Sequence, residues 1–177
     1  MRFDVDPRMS IQGARNRASG AFFEDAILRV CRHYWLSGQA AIDKTPEPMQ
    51  PIKDLGGGRF VAHYAKKAQP DFQDNLQGGR SVCFEAKHTD SDRIKQSAVT
   101  NEQAAVLDVK EALGALCFVL VSFGFREFYR VPWAVWRDMR AHFGHKYMTP
   151  EEGAAYRLPV TMGLLLFLDP KDYDHER

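Results

Sequence analysis

Pro70-Asp71-Phe72, a turn-forming stretch from Asn75 to Gly79, and then Ser81-Val82-Cys83-Phe84-Glu85-Ala86-Lys87 make up the segment that decides the fold. From Ser81 to Lys87, β-formers alternate with other residues, so the segment is predicted to be a strand entered from a turn. Side chains alternate across a strand. Val82, Phe84 and Ala86 therefore share one face, and Cys83, Glu85 and Lys87 the other. Upstream, Arg59 to Tyr64 is also strand-like and is expected to be the hairpin partner of this strand. Such a hairpin carries Asp71 back to Glu85 and Lys87 across thirteen intervening residues.

Two carboxylates in one site repel each other unless a cation neutralises them, and hard oxygen ligands suit Mg²⁺ or Mn²⁺. A lysine beside such a metal would steer an attacking water or stabilise charge building on phosphorus. The spacing alone serves two readings, a nuclease site and a salt-bridged surface hairpin.

On the N-terminal side, Phe23, Ile27, Val30, Cys31 and Tyr34 follow the spacing of an amphipathic helix, which Ser37-Gly38 ends. Glu24 borders that stripe. Residues 1–18 show no periodicity and read as a mobile arm, leaving 19–177 as one domain. Residues 39–58 carry Pro46, Pro48, Pro51 and Gly56-Gly57-Gly58, which leaves little room for regular structure beyond a short strand near Ala40 to Ile42. On the C-terminal side, Thr100-x-x-Gln103 has the form of a capping box on a helix running to about Leu113 and closed by Gly114. Leu116 to Phe123 is an apolar run of central-strand length, with Glu127 to Val131 as its hairpin partner. Pro132 opens a helix through Met139, and Tyr156 to Leu168 fits strand or helix.

The chain has 177 residues, 45% hydrophobic and 27% charged, which suits one packed domain and excludes global disorder. No apolar run approaches the roughly 18 residues of a membrane span, and the N-terminus does not read as a secretory signal, so the expected location is the cytoplasm. Cys31, Cys83 and Cys117 lie far apart in sequence and are expected to be buried reduced thiols; His142 and His145 read as surface residues. A formal charge of +1 argues against coating nucleic acid through bulk charge. Arg59, Lys66 and Lys67 nevertheless occupy a stretch free of acids, and the tail from Asp169 is net acidic.

Five collinear segments resemble the RecU family of Holliday junction resolvases, within the PD-(D/E)XK nuclease superfamily. Gly20-Ala-Phe-Phe-Glu24 resembles its first-helix motif, and Ala41-Ile42-Asp43-Lys44-Thr45-Pro46-Glu47-Pro48 its Lys-x-Pro-x-Pro segment. Phe84-Glu85-Ala86-Lys87-His88-Thr89 resembles its Phe-Glu-Ala-Lys-x-Thr strand, Asn101-Glu102-Gln103 the helix that supplies a Gln, and Gly114 to Phe123 the strand that follows. The resemblance implies a restriction-endonuclease-like α/β fold, a mixed central β-sheet flanked by helices. It further implies a homodimeric, Mg²⁺-dependent endonuclease (Mn²⁺ substituting) that cuts two opposed strands of branched DNA. Glu24, Asp71 and Glu85 would be the acidic metal ligands, Lys87 the catalytic lysine and Gln103 the helix-borne auxiliary. Arg17, Lys44, Arg59, Lys66 and Lys67 would contact DNA.

This chain departs from the family in two places. Asn16-Arg17 is followed by Ala18-Ser19 before Gly20, and the stalk that the family inserts between its first strands is shortened here to about residues 49–68. The rival readings are another superfamily nuclease acting on duplex DNA, and a catalytically idle DNA-binding accessory protein of recombination.

Overall fold

The computed structural model describes residues 7–46, 48–64 and 69–173. The strands are Ala40–Lys44 (β1), Met49–Gly56 (β2), Arg59–Tyr64 (β3), Phe72–Leu76 (β4), Ser81–Thr89 (β5), Ile94–Lys95 (β6), Leu116–Phe123 (β7), Glu127–Pro132 (β8), Tyr147–Met148 (β9) and Arg157–Leu158 (β10). The α-helices are Pro7–Leu36 (α1), Asn101–Ala112 (α2), Trp133–Arg137 (α3) and Met139–Phe143 (α4).

Six strands form one mixed sheet in the order β1-β4-β5-β7-β8-β10. Its one parallel pair is β5 with β7, as the α2 crossover between them requires. Period-2 alternation then divides the core. On one face, Phe23, Ile27, Val30 and Tyr34 of α1 pack on Ile42, Phe72, Phe84 and Phe118. On the other, Leu107 of α2 and Trp133, Trp136 and Met139 of the short helices pack on Cys83, Val119, Val121 and Val131. Register puts Phe72 opposite Phe84 and Phe84 opposite Phe118, and the rings stack at 5.0 and 4.7 Å. Each such pair contributes roughly 0.5–1.5 kcal/mol beyond its buried area, which pins the register of β4 and β5, the strands that frame the site.

Four sequence expectations change. The residues read as an arm are helical over 7–18, and Asn16, Arg17 and Ala18 are exposed. The partner of β5 is β4, not Arg59 to Tyr64, which instead pairs antiparallel with β2. That pairing makes residues 49–56 a strand despite Pro51; the ladder shifts register between Pro51 and Lys53 and again between Asp54 and Gly56, so the proline falls at an irregularity. Every residue from Met49 to Val61 is exposed, and Gly56, Gly57 and Gly58 turn the tip at φ values of 76, 62 and 75° that other residues rarely adopt. Finally, the helix expected through Met139 breaks at Asp138 into α3 and α4, and of the segment 156–168 only Arg157–Leu158 joins the sheet.

All three cysteines are free and buried, although Cys83 and Cys117, distant in sequence, meet across β5 and β7 at 3.2 Å. His142 is exposed, whereas His145 is half-buried, stacked on Tyr147 and paired with Glu152 at 2.9 Å. Among the described residues, no helix is long and apolar enough to cross a membrane.

Candidate active site

Because Phe72 faces Phe84, the residue before it, Asp71, lands beside the second half of β5. The backbone N–H of Ala86 donates to Asp71 Oδ2 at 3.0 Å and fixes that carboxylate. Lys87 Nζ sits between the two acids, 3.2 Å from Asp71 Oδ2 and 2.7 Å from Glu85 Oε2. Glu85 and Lys87 thus share a face, as the alternation requires, and it is the face covered by α2. From the first turn of α2, Gln103 Nε2 donates to Glu85 Oε2 at 2.6 Å. Its other end caps the helix: Gln103 Oε1 accepts from the Thr100 N–H at 3.0 Å, and the Gln103 N–H donates to Thr100 Oγ1. One amide therefore serves as cap and as site residue, and the two roles are compatible because they use different atoms.

Glu85 has no solvent exposure. Burial pushes its carboxyl up to about 8; Lys87 pulls it down, and the negative Asp71 pushes it further up. Burial works against the charge on Lys87, yet the attraction of Asp71 and Glu85 outweighs it and raises the ammonium above its ordinary value. Lys87 therefore stays cationic at neutral pH. Glu85 Oε1, by contrast, is buried with no hydrogen-bond partner. Leaving a buried acceptor unsatisfied costs on the order of 1–3 kcal/mol, more if charged. A carboxylate oxygen left open in this way, next to a second carboxylate, fits a hard divalent cation.

Glu24 reaches the site from the other face. Its Oε2 pairs with Lys44 Nζ at 2.6 Å, and both line a small cleft of about 140 Å³ together with Thr45 and Asp71. Among the described residues, no group of three or more His, Cys, Asp or Glu side chains is gathered so as to hold a metal ion: Glu24 and Asp71 share this cleft, and Glu85 is joined to Asp71 through Lys87. Thr45 is a residue that the sequence reading did not single out for the site. Its Oγ1 is buried without a partner in that cleft, and its backbone N–H donates to the Asp71 carbonyl at 2.9 Å. Its place inside the Lys44-Thr45-Pro46 segment was the available signal.

Of the expected DNA contacts, Arg17 is exposed on α1, seven residues before Glu24 and hence on the same helical stripe, about 10 Å along the axis. Lys44 is committed to Glu24, Arg59 is exposed where the β2–β3 tip enters β3, and Lys66 and Lys67 lie outside the described residues.

The fold is a mixed central sheet flanked by helices, and it brings Asp71, just before β4, against Glu85 and Lys87 of β5. The family model for RecU, recombination protein U, matches residues 18–168, and the chain belongs to this family of Holliday junction resolving endonucleases. Among solved structures it is similar to Hjc of Archaeoglobus fulgidus, a Holliday junction resolvase from an archaeal hyperthermophile. That similarity has a TM-score of 0.46 and 13% identity, and covers 77% of this chain and 93% of the other. No curated protein matches the chain.

Proposed function

We propose that the chain acts as a homodimeric, Mg²⁺-dependent crossover junction endodeoxyribonuclease, with Mn²⁺ able to replace Mg²⁺, cutting two opposed strands of a four-way junction. The observation that carries this reading is Lys87 fastened between Asp71 and Glu85 while Glu85 Oε1 stays buried and unpartnered. A pure binding module has no use for that arrangement, since buried acids repel phosphate. Asp71 and Glu85 are the residues that would hold the metal, with Glu24 as a third acid if Lys44 releases it. The bound ion would neutralise the paired carboxylates and the phosphate and lower the pKa of a water.

The chain's own side chains supply the rest. Gln103 and Lys87 both bind Glu85 Oε2, which leaves Oε1 as the ligand atom. Lys87 donates a proton-bearing N–H to a phosphate oxygen as negative charge grows there, and its two acids keep it charged for that task. Arg17, Arg59, Lys66 and Lys67 are the phosphate contacts of this reading. Two cuts per junction need two such sites, hence the dimer, with the exposed β2–β3 hairpin as a stalk-like element at the branch point. Buried free thiols accord with a reducing, cytoplasmic location.

The test is cleavage of a synthetic four-way junction beside linear duplex of matching sequence, with and without Mg²⁺. Paired cuts in the junction and an intact duplex are expected. Equal cutting of the duplex would make the chain a duplex endonuclease, and binding without cutting would make it an accessory protein.

A further inference from the structure

A second cleft lies on the far side of the α2 first turn, between that turn, α3 and the β6–β9 pair, with a volume of about 500 Å³. Its walls include Lys95, Lys146, Arg137, Ser97 and Asn101, and no carboxylate side chain lines it. Arg137 is already engaged, at 2.9 Å from Asp108 and 3.1 Å from Glu111. Lys95 and Lys146 are exposed, and neither has an ion-pair partner among the described residues. Both lie at the cleft on neighbouring backbone segments: Lys95 pairs with Tyr147 in the β6–β9 register, and the Gln96 N–H donates to the Lys146 carbonyl at 3.0 Å. The Gln96 side chain donates to the Trp136 carbonyl at 3.1 Å and so anchors the wall that carries Lys95 to α3.

The position of this cleft relative to the carboxylates gives it a role. Asn101 and Ala104 of the α2 first turn line it, while Gln103 of the same turn binds Glu85. A helix with its side chains is about 10–12 Å across. Phosphates recur every 3.4 Å or so along one strand of duplex DNA, so a strand held at the carboxylates would present other phosphates to the cleft on the far side of that turn.

We propose that this cleft binds a backbone phosphate of the DNA arm leaving the catalytic acids, with Lys95 and Lys146 as its cations and Ser97 and Asn101 as its neutral donors. The proposal rests on the reading that the substrate is DNA. It assigns the α2–α3 side of the molecule as the track of one arm, a role that neither the motifs nor the hairpin supplies.

The experiment measures four-way junction affinity of the full chain against salt concentration in metal-free buffer, for wild type, K95Q/K146Q, K95R/K146R and K171Q. Each lost phosphate contact lowers the slope of log K against log salt by about 0.9, so K95Q/K146Q should lose about 1.8 and bind several-fold more weakly at low salt. K95R/K146R should restore the slope, and K171Q, a change in the exposed tail, should leave it alone. Both lysines are exposed, so folding of the variants is checked by their thermal transitions. A wild-type slope and affinity in K95Q/K146Q, with the wild-type protein still cutting junctions, overturns the cleft alone. A wild-type chain that neither binds nor cuts branched DNA overturns the DNA reading and this proposal with it.

Discussion

Two buried ion pairs in this protein are built to opposite ends. Asp172, in the segment that closes over the α1 face, accepts from Arg130 Nη1 at 2.6 Å, from Arg130 Nη2 at 2.8 Å and from the Asp169 N–H at 2.7 Å. Arg130 also donates to the Phe167 carbonyl and lies over the Phe118 ring. Both oxygens of that carboxylate are satisfied. Glu85, more deeply buried, has two donors on one oxygen and none on the other, with a second acid beside it. A buried polar network that is complete holds a structure together, whereas one left incomplete costs stability and persists where it has a task. By this criterion the Arg130–Asp172 pair is a clasp, and the incomplete Asp71–Glu85–Lys87 cluster has the character expected of the active site proposed for it.

The largest effect that would sharpen the contrast concerns an element belonging to neither pair. Replacing Pro51 to Arg59 with a short Gly-Ser linker should remove the preference for junction over duplex while leaving the proposed dimer and the acids intact, because the hairpin is exposed along its length. Junction and duplex affinities, before and after, give the ratio; an unchanged ratio would move selectivity to dimer geometry. Next in size, Asp172→Asn should cost roughly 2–3 kcal/mol, below the usual range for a broken buried pair because Arg130 keeps the Phe167 carbonyl. Denaturant unfolding measures this, and cleavage by the folded protein should persist.

Gln103 separates the cap from the site. Gln103→Glu can still accept from the Thr100 N–H, so helix stability should hold within about 0.5 kcal/mol, yet it sets a carboxylate against Glu85 and should slow cleavage about tenfold or more. A further expectation is a pH slope. Glu85 carries a folded value of about 8 against an ordinary 4.5, so between those values the folded state holds the extra proton. Its contribution to stability is complete below that window and declines as pH rises through it, and metal affinity climbs over the same range as the proton leaves. Metal-free thermal unfolding from pH 5 to 9 should show this decline in wild type and lose it in Glu85→Gln.

Much of this arrangement is legible in the sequence because strand alternation is strict: Glu85 and Lys87 had to share a face, and Thr100 with Gln103 had to cap a helix. The partner of β5 was misread for a physical reason. Phe72-Gln-Asp-Asn-Leu76 is poor in β-formers and is a strand because β1 and β5 flank it, whereas Arg59 to Tyr64 has the better composition and pairs elsewhere. The helical turns before Gly20 lack an apolar stripe, so periodicity could not reveal them. The clasp was hidden for another reason: an acidic tail looks solvated until Arg130, 42 residues upstream, is seen to meet Asp172.

Glu85→Gln, measured beside Asp172→Asn for both junction cleavage and thermal unfolding in the same Mg²⁺ buffer, tests the distinction most directly. Removing a metal ligand should lower cleavage at least about 10³-fold while junction binding is kept or strengthened, and in metal-free buffer near pH 8.5 should raise Tm by a few degrees, about 1 kcal/mol on a domain this size. Asp172→Asn should do the reverse, losing Tm and keeping cleavage. If Glu85→Gln still cuts junctions at the wild-type rate, or loses cleavage only because it unfolds, then Asp71, Glu85 and Lys87 are a second structural clasp and the active site lies elsewhere.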